Sequence, residues 1–291
     1  MKQEIRGELL AEGKTKRVYA TLHDSLAVIL ESKDDITKHD NPDETEILPG
    51  KGALCNYTTV RVFELLEENK VATAYLEWDS DNSFVAYKVA MLPLEIVVRN
   101  KGYGSWLERN PHIHPKLGQK AVEFKEAVFE LFLKTTSGRL EHGGAVIIEG
   151  LNQQANDPWI PHPYAAEWAI RYSKLPLTDP AGDLPFVIDP QSILGKISIQ
   201  AITALAFRVN EVLTRAWKNL GYDLIDFKME VGMTANGELV VADVLDADSW
   251  RLWNAEGEAF DKQLFRDGKS LTLILERYQI VADLASRFFC G

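Results

Sequence analysis

The sequence predicts an α+β protein in two lobes, and three observations predict it. Short strands crowd the first third of the chain. The later strands are mixed with two long helical patterns. A strong hairpin signal, Asn236-Gly237, sits between those two helices. Early strands followed by a mixed region suit two packed lobes with a cleft. The expected division is a β-rich lobe over residues 1–93 and a larger α+β lobe over residues 94–291.

In chain order, "GELLAEGKTKRVYATLHDSLAVILES" gives three short strands with turns at Glu12-Gly13 and His23-Asp24. The polar stretch "SKDDITKHDNPDETEILPGKG" holds Pro42 and Pro49 and reads as a mobile loop. "ALCNYTTVRVFELLEENK" reads as a helix, with Leu54, Val62, Leu65 and Leu66 among its apolar residues. "VATAYLEWDSDNSFVAYKVAMLPLEIVV" gives two strands around a turn at 79–83, and a third after Pro93. "VEFKEAVFELFLKT" is a strand ending at Lys134, and residues 135–160 are loop-rich. "GKISIQAITALAFRVNEVLTRAWKNLGY" is a long helix stopped by Gly221. After the hairpin, "KSLTLILERYQIVADLASRFF" closes as an amphipathic helix.

The hairpin "DFKMEVGMTANGELVVAD" raises a chemical question. A two-residue turn at Asn236-Gly237 sets Ala235 against Glu238 and, counting outward, Glu230 against Asp243. Opposed residues share a sheet face with Cβ atoms roughly 4.5–5.5 Å apart. Alternation adds Asp226 and Lys228 to that face and turns Phe227, Met229 and Val231 toward a core. Opposed like charges destabilise a sheet unless a cation lies between them. Mg²⁺ suits two carboxylates, because it takes oxygen ligands, keeps several waters and bridges to phosphates. A solvated face with a slipped register is the other reading.

With 46% hydrophobic residues, the composition is that of a globular protein. A formal net charge of -11 argues against nucleic acid or an anionic membrane as the main partner. Anionic ligands would then need Lys and Arg gathered in one cleft. The two cysteines, Cys55 and Cys290, give no expectation of a structural disulfide and suit a reducing compartment. The stretch "MKQEIRGELLAEGKTK" lacks the apolar run of a signal peptide. No segment approaches the ~18 apolar residues of a membrane span. A cytoplasmic protein is expected, with the oligomeric state left open, a homo-oligomer included.

Four further places could carry chemistry. "GKTKRVY" sets Lys14 and Lys16 on one face of a strand leaving a glycine turn, which suits a polyphosphate. Solvated lysines on an edge strand read equally well. In "VVRNKGYGSWLERNP" a strand ends at Arg99, and Ser105 to Glu108 matches a helix-opening capping box. Arg99 and Ser105 could hold a phosphate or carboxylate there, or simply be a capped turn with a surface arginine. Arg251, in "DSWRLW", is placed for bidentate contact with an anion, or for packing between tryptophans. His112 and His114 share a face but have no third ligand at metal spacing. No phosphate-loop motif, dinucleotide fingerprint or nucleophile elbow occurs.

Together, "EGKTKRVY", "LEIVVRNKGYGS", "ELFLKT", "DFKMEVG", "ADVLDADSWRLW" and "DKQLFRD" resemble, in this order, the SAICAR synthetase family of purine biosynthesis. The resemblance implies an α+β fold, with a small antiparallel β lobe, a larger mixed lobe and an ATP cleft like that of kinases and ATP-grasp ligases. It implies ATP-dependent joining of CAIR, a carboxylated aminoimidazole ribotide, to L-aspartate, giving SAICAR, ADP and phosphate by way of an acyl phosphate. Glu230 and Asp243 would hold Mg²⁺ on the ATP phosphates, with Lys14, Lys16 and Lys134 near them. Arg99, Ser105 and Arg251 would hold CAIR, chiefly its phosphate. Lys228 would neutralise the reacting carboxylate and Asp226 would orient it. The stretch "YKVAMLP", with Lys88 and Met91, would receive the adenine through its backbone. One departure is the long segment between Lys134 and Asp157-Pro158, which leaves the role of Asp157 open. A small-molecule kinase on the same scaffold, and a non-catalytic nucleotide-binding protein, are the rival readings.

Overall fold

A computed structural model describes residues 6–37, 44–152 and 155–289. The chain packs into two compact units that interleave along the sequence. The first takes Met1–Ala90, Val212–Leu224 and Val231–Gly291; the second takes Met91–Glu211 and Ile225–Glu230. Residues 231–291 belong to the same unit as the N-terminal strands. Packing explains this. Helix Leu271–Ala285 lies against helix Lys51–Glu68, so the last helix closes the apolar face of the first.

The first unit is built on an antiparallel sheet in the order Arg6–Glu12, Lys16–Thr21, Ala27–Ser32, Ser83–Tyr87, Tyr75–Ser80. These are the five strands expected from the sequence. Helix Lys51–Glu68 buries Val62, Phe63 and Leu66 completely, and Phe63 meets Phe84 of the sheet edge-on at 6.0 Å. The buried Asn56 amide donates to the carbonyls of Ser80 and Asp81 at 3.1 Å, pinning the sheet's far hairpin to the helix. Part of the expected mobile loop is paired: Asp35–Thr37 runs antiparallel to Thr45–Ile47. Residues 38–43 of that loop lie outside the described residues.

In the second unit the sheet order is Asp183–Ile188, Trp168–Arg171, Trp159–Ile160, Val122–Leu133, Leu94–Gly102, then the Ile225–Glu230 part of strand Asp223–Met233. The first three strands are short and fall in or beyond the stretch read as loop. Alternation is clear on the inner strands. Ile96, Val98, Leu131, Leu133, Phe227 and Met229 are all buried on one face. Helix Ile199–Asn219 is tied to this sheet by a reciprocal amide pair, Asn100 with Asn210, at 3.0 and 2.9 Å. Its end follows the expected pattern: Gly221 takes φ +86°, and the Gly221 and Tyr222 N–H groups turn back to Lys218 and Trp217.

The hairpin turn departs from expectation. The Thr234 N–H donates to the Glu238 carbonyl at 2.9 Å and the Gly237 N–H to the Thr234 carbonyl at 2.9 Å. Gly237 is left-handed, with φ +82°, and Asn236 is not. The loop is therefore three residues, 235–237, with the left-handed residue last, rather than a two-residue turn with positive φ at both positions. Pairing is one residue out of step with the expected register. The opposition of Glu230 and Asp243 derived from it does not hold. Asp243 instead lies just beyond strand Leu239–Ala242, in a left-handed conformation with φ +63°.

Candidate active site

The second unit carries a charged face across three neighbouring strands. Arg99, on the central strand Leu94–Gly102, stands opposite Asp226 on one side and Val128 on the other. Alternation puts Glu95 and Arg99 on the face shared with Glu130, Asp226, Lys228 and Glu230. Phe227 and Met229 point into the core, as expected.

Every one of those charges has a partner. Arg99 is 3% exposed. Its Nε donates to Glu130 at 2.5 Å, Nη1 to Asp226 at 2.7 Å and Nη2 to the Ser105 hydroxyl at 3.1 Å. Lys228 reaches Glu95 at 2.7 Å. Lys134 donates to both oxygens of the buried Glu230 carboxylate at 2.6 Å. The exposure is uneven, and that matters for chemistry: the Lys134 and Lys228 side chains are 45% and 42% accessible, so both ammonium groups can meet a ligand.

Asp157, whose role the sequence left open, works on the backbone beside Lys134. Its carboxylate accepts from the Thr135 N–H at 2.9 Å, and its own N–H donates to the Thr135 hydroxyl at 3.0 Å. Ser105 is not the helix cap expected of it. Gly104 caps the short helix Ser105–Arg109, with φ 57° and ψ -131°. The Ser105 hydroxyl accepts from Arg99, so the capping box does not form.

In the first unit, Lys16 opens strand Lys16–Thr21 and pairs with Asp243. Lys14 lies in the preceding bend, not on the strand beside Lys16, and is exposed. Lys88 is exposed, and its N–H donates to the Leu26 carbonyl at 2.7 Å, so that backbone donor is already used. Met91, in the second unit, is exposed. Arg251 is half-buried on strand Trp250–Trp253, between the buried Trp250 and Leu252.

A buried ionic cluster in the first unit escaped the sequence reading. Lys51 pairs with Asp248 at 2.8 Å, Tyr278 donates to the same carboxylate, and Cys55 and Asp246 adjoin it. Burial and the Asp248 charge push the Asp246 carboxyl up to about 6. Burial opposes ionisation of Asp248 too, but the Lys51 and Lys262 charges win and hold it below the ordinary carboxylate range. Burial pushes the Cys55 thiol well up, so it is an inert core thiol rather than a nucleophile. No signal in the sequence marks Lys51 as internal, because a lysine beside a glycine at a helix start usually faces water.

The family model for SAICAR synthetase matches residues 9–142 and 183–282. The chain belongs to the SAICAR synthetase family. A phosphoribosylaminoimidazole-succinocarboxamide synthase of Chloroflexus aurantiacus is 32% identical over 98% of each chain. One of Caldivirga maquilingensis is 30% identical over 94% of this chain and 92% of its own. Among solved structures, a type-2 SAICAR synthetase in complex with ADP aligns with a TM-score of 0.72 at 28% identity, over 96% of this chain and 97% of that one. The α+β fold and ATP-dependent ligation in purine biosynthesis follow for a SAICAR synthetase. The matched ranges contain every sequence-derived site residue from Lys14 to Arg251, whereas Asp157 and the short strands around it fall in the unmatched segment 143–182. No described helix is long and apolar enough to cross a membrane.

Proposed function

We propose that this SAICAR synthetase joins the carboxylate of CAIR to the amine of L-aspartate, giving SAICAR as ATP is split to ADP and phosphate. The observation that carries the site assignment is Glu230, a buried carboxylate with an ammonium on both oxygens. The charged face of the second unit is neutral in sum. Arg99, Arg109, Lys134 and Lys228 are paired with Glu95, Glu130, Asp226 and Glu230. All three substrates are anions, so binding them needs further positive charge. Carboxylate oxygens are the ligands Mg²⁺ takes, and on the family pattern Glu230 and Asp243 would hold it. When bound, it supplies charge neutralisation on the ATP phosphates.

Lys134 and Lys16, each now on one of those carboxylates, would turn to phosphate oxygens, as would Lys14. Arg99, Ser105 and Arg251 hold the ribotide, chiefly its phosphate. Lys228 neutralises the reacting carboxylate. Asp226, bonded to Arg99, steadies that guanidinium and would orient the reacting carboxylate. Lys88 and Met91 border the adenine. A carboxylate resists an amine, so its oxygen first takes the γ-phosphoryl group. The amine of aspartate then attacks the acyl phosphate, and phosphate leaves. The protein's contribution is positioning and charge stabilisation.

Glu230→Gln tests this. ADP release in the presence of CAIR and L-aspartate is expected to fall at least ~100-fold, with the folded protein retained. Unchanged turnover removes Glu230 from the site. Full-rate ADP release without L-aspartate assigns a kinase instead.

A further inference from the structure

Arg99 is not held by Asp226 alone. The Glu130 carboxylate is shared between two arginines: Oε2 accepts from Arg99 Nε at 2.5 Å and Oε1 accepts from Arg109 Nη2. All three side chains are at most 5% exposed. Arg109 is in turn fixed on its other sides. Its Nη1 donates to the Ser173 carbonyl at 2.6 Å, and its guanidinium lies over the rings of Trp159 at 4.7 Å and Phe132 at 5.7 Å. The Arg109 carbonyl accepts from the Leu177 N–H at 2.9 Å. Trp159, Ser173 and Leu177 all belong to segment 143–182, which the family model leaves unmatched.

Glu130 takes Nε of Arg99, and Asp226 and the Tyr103 carbonyl take Nη1, at 2.7 and 3.5 Å. Nη2, which donates to the Ser105 hydroxyl at 3.1 Å, carries the second N–H that can meet a ligand. A planar fork recognises an oxyanion only when its orientation is set.

We infer that Glu130 and Arg109 are positioning residues for the ribotide phosphate, setting the Arg99 fork through the Arg109–Glu130–Arg99 line, with segment 143–182 as its backing. The inference rests on the proposed role of Arg99 in holding that phosphate.

The test measures KM for CAIR, ATP and L-aspartate separately in Arg99→Lys, Arg109→Lys and Glu130→Gln, and in the double variant Arg99→Lys/Arg109→Lys. Arg109→Lys keeps the charge but cannot reach Ser173 and Glu130 together, so it serves where Glu130→Gln fails to fold. The expected result is a rise in the KM for CAIR of about tenfold or more in Arg109→Lys, with the other two KM values within about twofold. The double variant is expected to be no worse than Arg99→Lys alone, because both changes act through one fork. If Arg99→Lys itself leaves the KM for CAIR unchanged, the proposed role of Arg99 fails. If Arg99→Lys raises it and Arg109→Lys does not, or moves all three KM values together, or the two effects simply add, the positioning role fails while that of Arg99 stands.

Discussion

Lys51→Met removes the ammonium that pairs with Asp248 and leaves that carboxylate, in the core of the first unit, with the charge of Lys262. The Lys51 side chain is 2% exposed and 2.8 Å from Asp248. Breaking a buried pair by deleting one partner costs about 3–5 kcal/mol, because a desolvated charge is stranded. Tyr278 still donates to Asp248, which favours the low end, about 3 kcal/mol. That corresponds to a fall in Tm of roughly 6–10 °C for a chain of this size. The loss should also depend on pH. Asp248 has a depressed native pKa, so its contribution is present above the ordinary carboxylate range and disappears as pH falls through the native value. Without Lys51 most of that contribution is missing, so the variant should trail the wild type by the same margin at pH 8 and 6 and begin to close the gap only below the ordinary carboxylate value of 3.8. Urea unfolding at about pH 8, 6 and 3 gives the three differences. A loss under about 1 kcal/mol at pH 8, or one as large at pH 3 as at pH 8, refutes the buried-pair account.

Asp246→Asn should stabilise the protein at pH 8. The native carboxyl sits at about 6 against an ordinary 3.8, so the folded chain keeps a proton that the unfolded chain has lost, and wild-type stability falls as pH rises through that window. The gain is at most about 3 kcal/mol above pH 7 and vanishes below pH 4, measurable by calorimetry. Asp243→Gly should abolish ligation while changing stability by less than about 1 kcal/mol. Relief of the left-handed backbone offsets the half-exposed Lys16 pair. A loss beyond 2 kcal/mol would mean that the Lys16–Asp243 pair holds the fold.

The fold is most legible in the sequence where one period governs a segment. The strand through Asp226, Lys228 and Glu230 alternates so cleanly that its two faces could be assigned without coordinates, and burial of Phe227 and Met229 agrees. The five strands of the first unit were bounded by turn residues and were likewise legible. Register was not. Asn-Gly supports a two-residue turn or the end of a three-residue loop, and the difference of one residue separates the expected opposition of Glu230 and Asp243 from the observed pairing. Ser105 shows the same limit in miniature: the capping pattern is local, but Arg99 competes for the hydroxyl from a neighbouring strand segment. Lys51, Arg109 and Glu130 stayed invisible because burial of a charge is decided by partners distant in sequence, and composition carries no trace of them. The strands Trp159–Ile160 and Trp168–Arg171 are too short to show a period.

The interleaved units set a constraint on biosynthesis. Val62, Phe63 and Leu66 leave the ribosome long before Leu271–Ala285, the helix that packs against theirs, has been translated. The nascent N-terminal sheet therefore waits, with an uncovered apolar helix, while two hundred further residues are made. Only late in elongation can the first unit close, so the growing chain is a natural client for chaperones that shield hydrophobic helices.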